Sequence, residues 1–162
     1  MNMMSMLLFG CFGMNRARAS LPLHGPSGLA QVWPIPSSAV CDSGSTRLSS
    51  KFKIQIASSS SSPRLLSAIQ RYTALIPLTP GPNGMQTLVL HVATPDDGNV
   101  PSIHSDYSYN ISTMSNTTVV ATAPSVFGAM YAMETFSHLV NSTGYFGCSS
   151  LQLYDTPAYV RK

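Results

Sequence analysis

The chain has 162 residues, 44% of them hydrophobic and 9% charged, with a formal net charge of +3. That length fits one compact domain and excludes an eight-fold βα barrel, which needs roughly 250 residues. Lys51, Lys53, Arg64 and Arg71 are scattered, so there is no electrostatic footprint for nucleic acid. With one glutamate, Glu134, and five aspartates, carboxylate acid–base catalysis has little to work with.

The apolar run from Met3 to Met14 is shorter than the about 20 residues a bilayer span requires. Ala17-x-Ala19 follows it with the small-residue form of a signal cleavage site, so residues 1–19 read as a signal peptide whose n-region unusually lacks Lys and Arg. No other segment reaches transmembrane length. Residues 20–50 are rich in Ser, Pro and Gly and read as an extended, loop-like lead-in. Within it, Trp33-Pro34-Ile35-Pro36 is non-helical, because each proline fixes its own φ and biases its predecessor toward extended backbone. The domain is expected over residues 51–162.

Phe52, Ile54 and Ile56 alternate with Lys51, Lys53 and Gln55, the pattern of a half-buried strand. After the flexible serine run 58–62, Ser62-Pro63 has the form of an N-cap followed by proline at the first helical position. Leu65, Leu66, Ile69, Tyr72 and Leu75 then recur at helical spacing, and Pro77 with Pro80-Gly81-Pro82-Asn83-Gly84 ends that helix. A strand over Gln86–Ala93 reads as buried on both sides, since Leu88, Leu90 and Val92 share one face and Val89, His91 and Ala93 the other. Beyond the turn at Thr94–Asn99, runs around Tyr107–Ile111 and Val119–Ala121 form a hairpin with a four- to five-residue loop. Pro124-Ser125 opens a second helix through Val140, striped by Val126, Met130, Met133, Phe136 and Val140, and a last strand lies at Leu151–Leu153. The order β-α-β-β-β-α-β gives an α+β fold. It consists of a single mixed, mostly antiparallel sheet with two helices packed on one face.

Three Asn-x-Ser/Thr acceptors, at Asn110, Asn116 and Asn141, agree with entry into the secretory pathway, to a lysosome, a vacuole or the exterior. With Cys11 removed alongside the signal, Cys41 and Cys148 remain as an even pair, either a disulfide or two buried thiols. His24, His91, His104 and His138 show no metal-ligand spacing, and each reads as packing or surface. Asp96-Asp97 sits in a Pro/Gly turn, where aspartate serves the backbone. Glu134, in an apolar helix, is either a buried acid or, as we favour, a solvated or partner-facing one. With no phosphate loop, nucleophile elbow, metal site or cofactor motif, the residues describe a secreted α+β domain without a self-contained active site.

Two stretches carry a resemblance. Gly128-Ala129-Met130-Tyr131-Ala132-Met133-Glu134-Thr135-Phe136-Ser137-His138-Leu139 resembles the Gly-Ala-x-x-Gly-Leu-Glu-Thr-Phe-Ser-Gln-Leu helix of eukaryotic β-N-acetylhexosaminidases, the family 20 glycoside hydrolases. Trp33-Pro34-Ile35-Pro36 is similar to that family's Trp-Pro-x-Pro, and several shorter stretches follow in family order. They are Ile69–Tyr72, Leu88–Pro95, Asp106–Tyr109 and Tyr154–Pro157. The likeness covers roughly residues 30–162. It implies a non-catalytic N-terminal sheet domain beside a βα barrel, whose Asp-Glu pair removes terminal β-linked N-acetylhexosamine with help from the substrate's own acetamido group. No Asp-Glu dipeptide occurs here, so no catalytic residue carries over. The chain departs from the family at Ala132, Met133 and His138. Animal relatives carry a disulfide near Ser62 and Asp97, where neither residue is cysteine here. The resemblance implies a chain stopping before the barrel, inactive alone, with that barrel as its missing partner. The alternative is a standalone secreted module that binds glycans or protein without catalysis.

Overall fold

The computed structural model describes residues 29, 32–57, 62–94, 96, 98 and 100–157. The expected signal peptide, His24, Asp97 and the serines 58–61 lie outside the described residues. Seven strands and two helices follow in the order β1 (Ser38–Cys41), β2 (Thr46–Ile56), α1 (Pro63–Leu75), β3 (Met85–Val92), β4 (Tyr109–Ser115), β5 (Thr118–Ala123), α2 (Val126–Leu139), β6 (Tyr145–Phe146) and β7 (Leu151–Asp155). They build one sheet in the spatial order β1-β7-β4-β5-β3-β2-β6. β2 runs parallel to β3, and β3 to β5, while the remaining pairings are antiparallel. This is the mixed α+β sheet with two helices expected above.

The local signals explain most elements. Ser62 caps α1 by accepting from the Leu65 N–H at 3.1 Å, and Pro63 occupies the first turn, where its missing N–H is not needed. Ser125 caps α2 in the same way through the Gly128 N–H, also at 3.1 Å. On β2, Phe52 and Ile54 point into the core while Lys51, Lys53 and Gln55 face solvent. The β4–β5 hairpin closes through Asn116–Thr117 alone, a two-residue turn rather than the expected four- to five-residue loop. The strand ends there are built from Ser112–Ser115, which lack the apolar alternation that marks a strand in sequence.

Three further expectations are corrected. The segment 20–50 is not loop throughout, because 38–41 form β1 and 46–50 begin β2. β1 pairs only with β7 at the sheet edge and buries little besides Cys41, so its sequence carries no hydrophobic pattern. Ser49 is buried without apolar contact to advertise it. Its hydroxyl donates to the Pro82 carbonyl at 2.9 Å where the 80–84 loop runs beside β2. β3 is buried on one side only: Leu88, Leu90 and Val92 are inside, Val89 is half-buried, and His91 and Ala93 are exposed. Among the described residues helices cover only one face of the sheet. On α1 the buried residues are Leu65, Ala68 and Tyr72, while Leu66 and Leu75 are 51% and 64% exposed.

The core lies between the sheet and the helix layer. Phe136 stacks parallel to Phe52 with centroids 5.6 Å apart and packs on Phe146 at 5.4 Å, joining α2 to both β2 and β6. Gly128 lets α2 approach the sheet. A Cβ there would overlap the Ser108 carbonyl and sit 3.1 Å from the Ala123 Cβ. A disulfide joins Cys41 at the end of β1 to Cys148 between β6 and β7, with Cα atoms 5.4 Å apart.

Candidate functional site

The carboxylates decide what chemistry the domain can perform. Asp155, 5% exposed at the end of β7, sits in no motif that marks its side chain, yet it centres a polar cluster. Its Oδ1 accepts from the Ser37 N–H (3.0 Å), the Ser37 hydroxyl (2.9 Å) and the Thr156 N–H (2.9 Å). Its Oδ2 accepts from the Tyr109 hydroxyl at 3.2 Å, and that hydroxyl also meets Thr135 Oγ1 at 2.6 Å. This network ties the segment before β1 to β4, α2 and β7. Burial is the main force pushing the Tyr109 phenol far above its ordinary value, with the neighbouring Asp155 charge acting the same way against the Thr135 bond. The carboxylate is held by four donors, an arrangement that fixes backbone rather than transferring protons.

A hollow of about 490 Å³ beside loop 94–106 is lined by Asp96, His104, Asp106 and Phe127 among others. Each carboxylate there serves its own turn. The Ser62 hydroxyl, then the Gly98 N–H and Arg64, hold Asp96 below the usual carboxylate range. Arg64 lies 3.3 Å from Asp96 and 5.0 Å from the centre of the Phe127 ring, linking the starts of α1 and α2. Asp106 is held down by the Ser108 hydroxyl at 2.6 Å and the Ser108 N–H at 2.8 Å. Both side chains are thus engaged by the backbone and hydroxyl groups of their own loops. Glu134 is exposed on the outward side of α2.

The remaining candidates are dispersed. His91 is exposed on β3, His104 is exposed in the 102–105 turn, and His138 is half-buried with its Nδ1 lacking a hydrogen-bond partner. Among the described residues no group of three His, Cys, Asp or Glu could hold a metal, and no helix is long and apolar enough to cross a membrane. Asn116 is exposed in the β4–β5 turn. Asn110 is the second residue of β4 and is exposed on the sheet face that bears no helix. Asn141, half-buried just past α2, turns its Oδ1 toward Thr143 N–H (3.0 Å), Thr143 hydroxyl (2.8 Å) and Tyr145 N–H (3.0 Å).

No family model and no curated protein matches the chain. Solved structures do. A chitobiase from Flavobacterium johnsoniae superposes with a TM-score of 0.63 at 21% identity, over 80% of this chain and 21% of its own. A GH20 exo-β-N-acetylglucosaminidase from Vibrio harveyi gives 0.51 at 16% identity, over 88% and 21%. CpGH84B gives 0.52 at 11%, over 76% and 22%. The likeness is one of fold. The chain thus spans about a fifth of the length of these longer proteins, and its sheet-and-helix architecture is one part of each.

Proposed function

We propose that this chain is the N-terminal sheet domain of a eukaryotic-type family 20 β-N-acetylhexosaminidase, a secretory glycosidase whose catalytic barrel lies outside the stretch described here. The observation that carries the reading is the coincidence of fold and motif. The helix resembling the family's Gly-Ala…Glu-Thr-Phe-Ser segment is α2, and its first glycine stands where a Cβ would meet the Ser108 carbonyl just before β4 and Ala123 at the end of β5. The helix layer supports the same reading. Leu66 is exposed on the outward side of α1, and Phe127, Met130 and Tyr131 are half-buried on α2, apolar side chains of the kind a further domain covers. Hydrolysis of terminal β-linked N-acetylhexosamine belongs, on this reading, to the whole protein, and this domain alone is inactive because it carries no Asp-Glu pair.

Two measurements test the reading. The purified chain should not turn over a chromogenic N-acetylglucosaminide, and release of chromophore above a blank would overturn the inactive assignment. The transcript beyond Lys162 should continue in frame into a barrel carrying an Asp-Glu pair. A stop codon there would replace the reading with a standalone secreted binding module.

A further inference from the structure

Among the described residues the sheet has one face without helices, and Asn110 lies on it near the start of an interior strand. β4 is interior, flanked by β7 and β5, and Asn110 stands directly opposite Tyr154 on one side and Thr122 on the other. All three are exposed, while Ile111, Leu153 and Ala121, their neighbours along the strands, are buried in the core. Directly opposed residues of an antiparallel pair point to the same side with Cβ atoms roughly 5 Å apart. Asn110 begins an Asn-Ile-Ser acceptor pattern.

We propose that Asn110 carries an N-linked glycan whose first N-acetylglucosamine packs over the helix-free sheet face against Tyr154. The inference rests on the reading that the chain enters the secretory lumen. The acceptor is glycosylated on the extended chain before β4 pairs, so its later place inside a sheet is no obstacle. The folded face then accommodates the sugar, because Thr122 and Ser112, its neighbours on that side, are small. Tyr154, 43% exposed, offers an aromatic face to the apolar C–H surface of a pyranose and a hydroxyl at its rim. Transfer joins the sugar's anomeric carbon to Nδ2, releases the lipid diphosphate of the donor and removes one amide proton. Asn116, in a turn clear of the sheet, would bear a glycan with no such contact.

The full chain should be expressed behind a host leader in a eukaryotic secretory cell, which makes lumenal entry independent of the native signal. Glycopeptide mass spectrometry should find Asn110 occupied, and Asn110→Gln or Ser112→Ala should remove that glycan. The occupied protein should melt about 2–4 °C above Asn110→Gln. Tyr154→Ala should erase most of that difference while leaving Asn110 occupied, and Tyr154→Phe should keep it. Bare Asn110 with Asn116 glycosylated in the same molecules would overturn the site. A glycan at Asn110 whose stabilisation survives Tyr154→Ala would overturn the packing. A parallel expression from the native start tests the secretory reading separately, since a cytosolic product there, with Asn110 occupied behind the host leader, would sink only that reading.

Discussion

Gly128→Ala sets two effects of known size against each other. In a helix interior alanine is favoured over glycine by about 1 kcal/mol, because glycine surrenders more backbone freedom on folding, and this is an upper bound for Gly128, the third residue of α2. If α2 were an ordinary surface helix, the substitution would therefore stabilise the protein. The added methyl instead overlaps the Ser108 carbonyl and stands 3.1 Å from the Ala123 Cβ. Overpacking of a buried site costs about 1–3 kcal/mol, and the upper end applies because the obstacle is backbone, which cannot rotate aside as a side chain can. Subtracting the propensity gain leaves a net loss of about 2 kcal/mol, or about 4–8 °C in Tm. Thermal unfolding followed by far-UV circular dichroism measures it. Ser67→Ala on the exposed side of α1 is the control and should raise Tm slightly. An unchanged or raised Tm for Gly128→Ala would show that α2 does not approach the sheet as described.

The other perturbations probe separate supports. Replacing Cys41 and Cys148 by serine removes a bridge spanning 107 residues, which in the chain-entropy account costs about 4–5 kcal/mol, and the urea midpoint should fall accordingly. Phe136→Ala empties a fully buried site between Phe52 and Phe146 and should cost about 3–5 kcal/mol by urea denaturation, with a loss under about 1 kcal/mol contradicting the stacking described. The Tyr109 phenol is raised in the folded state, so its contribution is complete below the unfolded phenol value of about 10 and is lost as pH climbs above it. Stability should therefore begin to drop near about pH 10 and go on dropping as the pH is raised further. Tyr109→Phe should flatten part of that drop and, by taking a donor from Asp155, cost about 1–3 kcal/mol at neutral pH.

What the sequence discloses depends on whether an element must announce itself. β2 alternates because one of its faces is wet, and Ser62-Pro63 marks α1 because a helix start has orphan N–H groups to satisfy. β1 and β6 carry no such mark. One is a four-residue edge strand and the other has two residues, and both owe their pairing to what the rest of the chain places beside them. The error over β3 has a different source. An apolar run does not say how many layers cover it, so Val89 and Ala93 looked buried when only the Leu88 side meets helices. Leu66 and Leu75 mislead for a different reason: Leu66 faces outward, and Leu75, half a turn round the helix from it, is left exposed as the last residue of α1. The Asp155 cluster is the least legible. Its partners come from positions 37, 109, 135 and 156, and no local pattern in the sequence joins them.

The pairing of β1 with β7 has a consequence beyond stability. Ser38 lies opposite Tyr154 and Cys41 opposite Leu151, so the strand that opens the domain and the strand that closes it are immediate neighbours running in opposite directions. A polypeptide that enters by one therefore leaves beside its point of entry, and the domain imposes almost no distance between whatever precedes it and whatever follows. Such a module can be spliced into a surface loop of an unrelated protein, or its ends fused and new ones cut at the exposed Asn116–Thr117 turn, with the sheet order left intact. Adjacent ends of this kind suit a fold that makes up only about a fifth of the much longer chitobiase and CpGH84B chains it resembles.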